Sequence, residues 1–146
     1  MTLYLDTSSL VKMYVAEPDS HVVRRLIDQA TIVATSGIAY AETRAALARR
    51  RRERALSPTS YRTATRAFED DWSRYLAVEV SAAICREAGN LAERYRLRGY
   101  DSVHLASYLE VVRRAGVAET QFSSYDTRLK RAALAAVKAM VAAGRR

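Results

Sequence analysis

Four carboxylates, Asp6, Glu42, Asp101 and Asp126, stand out in this chain as groups whose type and setting could do chemistry. Asp6 ends the apolar run Leu3-Tyr4-Leu5 and is followed by Thr7, Ser8 and Ser9, after which an apolar helical pattern begins. That is a buried strand running into a helix with a carboxylate at the junction. In open α/β sheets ligands bind at the carboxyl ends of the strands. Asp101 lies in Gly99-Tyr100-Asp101-Ser102-Val103-His104, and Asp126 follows Phe122-Ser123-Ser124-Tyr125. Either aspartate also suits a plain helix cap. On a helix wheel Glu42 shares a side with Ile38, Ala45, Ala46 and Arg49. Among small apolar neighbours a carboxylate needs a partner, which is either an arginine such as Arg49 or a shared site.

Taken together, the acids suggest one pocket. Three aspartates fall at or near element ends that a parallel sheet collects on one edge, and Glu42 projects from an adjoining helix. Carboxylates facing one another repel, and a divalent cation relieves the repulsion. Mg2+ is a hard ion that takes oxygen ligands, and such ions activate water and neutralise charge on a phosphoryl group. All four acids are therefore candidate metal ligands and catalytic groups.

The elements that must position them alternate along the chain. Strands are expected at Thr2–Leu5, Thr31–Thr35, Leu76–Val80 and near Gln121–Ser123. Helices are expected from Ser8 to Val15, after Pro18, from a Ser36 cap through Arg52, from Ser57-Pro58 to about Tyr75, from Ser81 to near Gly99, and from Asp101 to Val112. After Asp126 the pattern stays helical to about Ala143, with no final strand. This alternation predicts an α/β fold with three α/β/α layers around a mainly parallel sheet, in one domain spanning residues 1–146.

Composition limits the function classes. The chain has 146 residues, of which 49% are apolar, so it is neither a disordered segment nor a linker. One cysteine, Cys85, excludes a disulfide framework and a cysteine-built zinc site, and it reads as a core residue. Asp6 and Lys12 interrupt any apolar leader, and the alanine-rich tail is too short to span a bilayer, so a soluble cytoplasmic protein is expected. Lys and Arg number 24 against 16 acids, a formal charge of +8 that favours an anionic partner such as nucleic acid. An acidic pocket in a basic protein fits a metal-dependent nuclease.

Leu-Asp-Thr-Ser-Ser-Leu-Val-Lys near the N-terminus, Ala-Glu-Thr around Glu42, Tyr-Asp-Ser-Val-His-Leu-Ala from Tyr100 and Ser-Ser-Tyr-Asp-Thr-Arg-Leu at the end resemble, in order and spacing, the four blocks of PIN-domain ribonucleases. The likeness is closest to VapC-type toxins of toxin–antitoxin pairs. It implies a PIN-like fold and an endoribonuclease using Mg2+ or Mn2+, with Asp6, Glu42, Asp101 and Asp126 as its acids. It also implies supporting roles for Ser8 and Ser124, a homodimer, and silencing by a small VapB-like antitoxin. Given such a pocket, Arg49, Arg50 and Arg52 in the densest basic run, together with Arg98 before Asp101, are candidate contacts to RNA or antitoxin.

Two other readings stay open. Asp6 could serve as the nucleophile of a phosphohydrolase, although such enzymes usually carry a second acid two residues on, where this chain has Ser8. Alternatively the acids are structural in a non-catalytic module that binds RNA or a partner. Glu69-Asp70-Asp71 reads as a solvated helix face, His21 as surface, and His104 as a packed or supporting histidine rather than a general base.

Overall fold

The computed structural model describes residues 1–145. Four parallel strands, β1 (Thr2–Leu5), β2 (Ile32–Ser36), β3 (Leu76–Val78) and β4 (Thr120–Ser123), form one sheet in the order β3-β2-β1-β4. Tyr4 pairs with Ala34 on one side and Phe122 on the other, so β1 is central. Its side chains alternate between two helical layers, as the two-residue period of a strand requires. Leu3 and Leu5 pack with Leu10, Val23, Ala39 and Phe68 on one face. Tyr4 faces the other core, which holds Leu105, Leu109, Leu129 and Ala133. All of these residues are buried, and each large apolar side chain removed from water contributes about 1.5–3 kcal/mol.

The first layer contains α1 (Thr7–Leu10), which passes into a 3-10 turn at Val11–Met13, then α2 (Ser20–Gln29), α3 (Ile38–Arg52) and α4 (Pro58–Trp72). The second contains α5 (Ala82–Tyr95), α6 (Gly99–Ala115) and α7 (Thr127–Gly144). The expected three-layer architecture is therefore present. α7 runs unbroken to Gly144, so among the described residues no strand follows β4.

Several boundaries differ from the sequence expectation, each for a local reason. The first helix is one α-turn and a 3-10 turn rather than a continuous helix from Ser8 to Val15. Ser36 ends β2 and Gly37 takes the cap, although the Ser36 hydroxyl still accepts from the Ile38 amide at 3.3 Å. α5 stops at Tyr95 because Arg96 adopts a left-handed conformation (φ 55°), normally a glycine's role. Gly99 instead opens α6, so Asp101 lies in the first turn and Arg98 holds the cap position. Cys85 is exposed, not core. Glu69 and Asp71 are not merely solvated: Glu69 accepts from Arg44 and Tyr40 at 2.5 Å, and Asp71 accepts from Tyr14 at 3.0 Å, tying α4 to its neighbours.

Candidate active site

Because all four strands run the same way, the ends of β1, β2 and β4 share one sheet edge. Asp6 is the first residue past β1 and caps α1. Its Oδ1 accepts from the Ser9 amide at 3.0 Å and the Ser8 hydroxyl at 2.7 Å, and its Oδ2 accepts from the Ser124 hydroxyl at 2.6 Å. Asp6 is only 4% exposed, and burial pushes its carboxyl pKa up despite the opposing hydrogen bonds from Ser124, Ser8 and Ser9. Ser8 Oγ in turn accepts from the Tyr125 amide at 2.9 Å, and Ser124 Oγ accepts from the Asp126 amide at 3.0 Å. The two serines thus stitch the segment after β4 to the end of β1 through Asp6.

Asp126 caps α7, with Oδ1 accepting from the Leu129 amide at 3.0 Å. Its Oδ2 accepts from Arg98 Nη2 at 3.3 Å, and Arg98 Nε donates to Asp101 Oδ2 at 2.9 Å. One guanidinium therefore spans two of the acids. Burial raises the Asp101 pKa, the nearby Asp126 charge adds to the rise, and Arg98 opposes it.

Glu42 is held from another direction. Its Oε1 accepts from Thr7 Oγ1 at 2.8 Å and lies 2.7 Å from Nε2 of His104. His104 is 2% exposed, and its Nδ1 lies 2.9 Å from the Tyr4 hydroxyl. Burial drives the Tyr4 pKa well above its ordinary value, so Tyr4 keeps its proton and donates it to Nδ1. That assignment leaves Nε2–H to donate to Glu42. Thr7 is a site residue that sequence reasoning missed, although its position directly after Asp6 was the available signal. His104 was read as a packed or supporting histidine, and its place three residues after Asp101 was the clue.

The packing of α3 corrects the wheel argument. Its buried stripe is Ala39, Thr43 and Leu47, while Ala45 is exposed. Glu42 lies beside that stripe, paired with Thr7 and His104 rather than with an arginine. With Arg49, Arg52, Ala45 and Tyr100 it lines an open groove of about 840 Å³. Two expected anion contacts are already engaged: Arg49 Nε donates to Glu53 at 2.9 Å, and Arg50 Nη2 donates to Glu17 at 2.5 Å. Among the described residues Arg52 makes no ion pair, whereas Arg98 makes the two described above.

The donor set, carboxylate and hydroxyl oxygens, suits a hard divalent cation. The expected convergence of all four acids is only partly realised. Among the described residues no three His, Cys, Asp or Glu side chains stand close enough together, as placed, to hold a metal ion. The reason lies in their counter-charges and donors. Arg98 bridges Asp101 and Asp126, and Glu42 Oε1 is engaged by Thr7 and His104. The chemistry fits a cation, with the Arg98 guanidinium standing in for positive charge between two of the acids. Both oxygens of Asp6 accept hydrogen bonds, from Ser8 and the Ser9 amide on one and from Ser124 on the other.

Comparison with known proteins bears on this arrangement. Residues 3–134 match the family model described as PIN domain. Ribonuclease VapC45 and Ribonuclease VapC49, from two strains of Mycobacterium tuberculosis, are each 39% identical over 109 residues, covering 75% of this chain and 76% of theirs. Among solved structures, Mycobacterium tuberculosis VapC20, described as a sarcin-ricin loop cleaving toxin, matches with a TM-score of 0.66 at 19% identity. That match covers 89% of this chain and 94% of the other, and it concerns the fold. No helix among the described residues is long and apolar enough to cross a membrane.

Proposed function

The chain belongs to the PIN-domain family, among the VapC ribonucleases, and from that premise we propose that it is the toxin of a toxin–antitoxin pair, an endoribonuclease that hydrolyses RNA phosphodiester bonds with Mg2+ or Mn2+. The observation that carries this reading is the linkage of the acids at one sheet edge. The Ser124 hydroxyl donates to the Asp6 carboxylate and accepts from the Asp126 backbone amide, the Asp126 and Asp101 carboxylates share Arg98, and Glu42 reaches the same edge through Thr7, the residue after Asp6.

In this reading Asp6, Asp101 and Glu42 would hold the cation, and Asp126 would either join them or orient a water beside it. The bound cation supplies Lewis acidity to the phosphoryl group and to that water. Ser8, Ser9 and Ser124 hold Asp6 in one rotamer by three donated hydrogen bonds, leaving little reorganisation for the reaction. The pair Tyr4–His104 fixes the rotamer of Glu42 from behind. Arg52 and the groove along α3 supply phosphate contacts beside the acids. The working unit is one PIN domain, paired as a homodimer in the cytoplasm and silenced by a VapB-like antitoxin that covers the acidic edge.

RNA cleavage that EDTA abolishes, that returns with Mg2+ or Mn2+, and that disappears in Asp6→Asn is the expected result. Cleavage persisting in EDTA, or in Asp6→Asn with metal present, would defeat the proposal.

A further inference from the structure

Among the described residues, Arg98 is the one cation placed between two of the proposed metal-binding acids. Its Nε donates to Asp101 Oδ2 at 2.9 Å and its Nη2 to Asp126 Oδ2 at 3.3 Å, so both bonds end on an acid oxygen of the proposed site. The Asp101 carboxylate is 13% exposed and that of Asp126 28%, whereas the arginine side chain is 59% exposed. The acids sit in the first turn or at the cap of their helices, and the arginine is the more exposed member of the group. Its Cζ lies over the Tyr100 ring, 4.7 Å from the centroid. Tyr100 is itself exposed and lines the groove that runs along α3 past Glu42 and Arg52.

We propose that Arg98 is the resident counter-ion of the metal-free acid pair, that a divalent cation displaces it, and that the freed guanidinium then grips the RNA backbone beside the reacting phosphate. The inference rests on the metal-dependent reading above. Two positive charges cannot share the Asp101–Asp126 pair without repulsion, so cation and guanidinium compete for it. The cation carries twice the charge, and the Arg98 side chain, already 59% exposed, takes up water in place of the two contacts it gives up. Once released, the planar fork of Arg98 stays tethered at the N-terminus of α6, with Tyr100 to stack on. A guanidinium is suited to two parallel hydrogen bonds with a phosphate. Arg98 would thus contribute to RNA binding only when metal is present. The same exchange holds the empty acids neutralised and the phosphate-binding group withdrawn.

The test is a two-by-two measurement on the full chain. Mn2+ binding is followed by calorimetry for the wild type, Arg98→Met and Arg98→Lys. Binding of a 2′-O-methyl ribo-oligonucleotide, which resists cleavage, is followed by fluorescence anisotropy with and without saturating Mn2+. The account expects Arg98→Met to bind Mn2+ about five- to tenfold more tightly than the wild type, the scale of removing two largely exposed ion-pair contacts, with Arg98→Lys between them. It expects the same variant to leave oligonucleotide affinity unchanged in EDTA and to weaken it about fivefold in Mn2+. Equal Mn2+ affinity in wild type and Arg98→Met overturns the competition. A loss of oligonucleotide affinity that is the same with and without Mn2+ overturns the hand-over. Absence of Mn2+ binding in every variant overturns the metal reading itself, a failure distinct from the other two.

Discussion

Replacing Asp6 by asparagine separates the stability of this site from its chemistry. The buried Asp6 carboxylate is 4% exposed, and burial outweighs its three hydrogen bonds and raises its pKa. The folded protein therefore holds the Asp6 proton more tightly than the unfolded chain does. The stability this provides is full below the unfolded pKa and is lost as pH rises through the folded pKa, above the ordinary 3.8. At neutral pH the ionised carboxylate is a net cost to the fold. Asparagine keeps the acceptor for Ser8 and the Ser9 amide and still caps α1 well. The Ser124 hydroxyl can turn to accept from the new amide group. Without metal, Asp6→Asn should thus be more stable than the wild type by about 1 kcal/mol, the usual scale for relieving a functional site. For a chain of this size that raises Tm by roughly 2–4 °C. The assay is thermal unfolding followed by circular dichroism in EDTA from pH 4 to 8, repeated in MnCl2. The gap should be smallest near pH 4 and widen as pH rises. In Mn2+ the order should reverse, because ligand at a hundred times its Kd adds about 2.7 kcal/mol to the form that binds it. Destabilisation of Asp6→Asn by 1 kcal/mol or more in EDTA at pH 7 would refute the reasoning and make Asp6 a structural acceptor.

Three further outcomes follow from the packing and charge around the site. Tyr4→Phe removes the hydroxyl on His104 Nδ1 and should cost about 1–3 kcal/mol in urea unfolding, with RNA cleavage falling roughly tenfold as Glu42 loosens. Arg52→Glu should leave stability within about 0.5 kcal/mol but weaken RNA binding and lower the slope of log K against log salt by about 1, measured by anisotropy. Leu129→Ala, at a fully buried position in the second core, should cost about 2–5 kcal/mol in chemical unfolding without altering metal affinity.

Much of this was legible in the residues. The β-branched and apolar runs marked the first three strands, the polar Thr120–Ser123 gave only a weak signal, and Ser57, Ser81 and Asp126 cap helices where capping chemistry suggests. The supporting role of Ser124 came only from the family resemblance, and its hydrogen bond to Asp6 follows from β1 and β4 being parallel neighbours. Glu42 shows where reading the sequence fails. A helix wheel tells which residues share a side, not which side is packed. The packed stripe of α3 includes Thr43, whose polarity hides it, while Ala45 is exposed. The Arg96 helix end was hidden because a non-glycine residue takes the left-handed conformation there. The Glu42 support was illegible for another reason: Tyr4 and His104 lie a hundred residues apart, and only the fold brings them within 2.9 Å. Arg98, noticed for its charge, gained its meaning from two acids 28 and three residues away.

The central claim is that Asp6 and Asp101, joined by Glu42 or Asp126, take a divalent cation at the carboxyl edge of the sheet. Anomalous diffraction from a crystal soaked in MnCl2 tests it directly. The account predicts a manganese peak in contact with carboxylate oxygens of Asp6 and Asp101, with Arg98 withdrawn from Asp101. A peak held elsewhere, or none in crystals of protein that cleaves RNA, would contradict it.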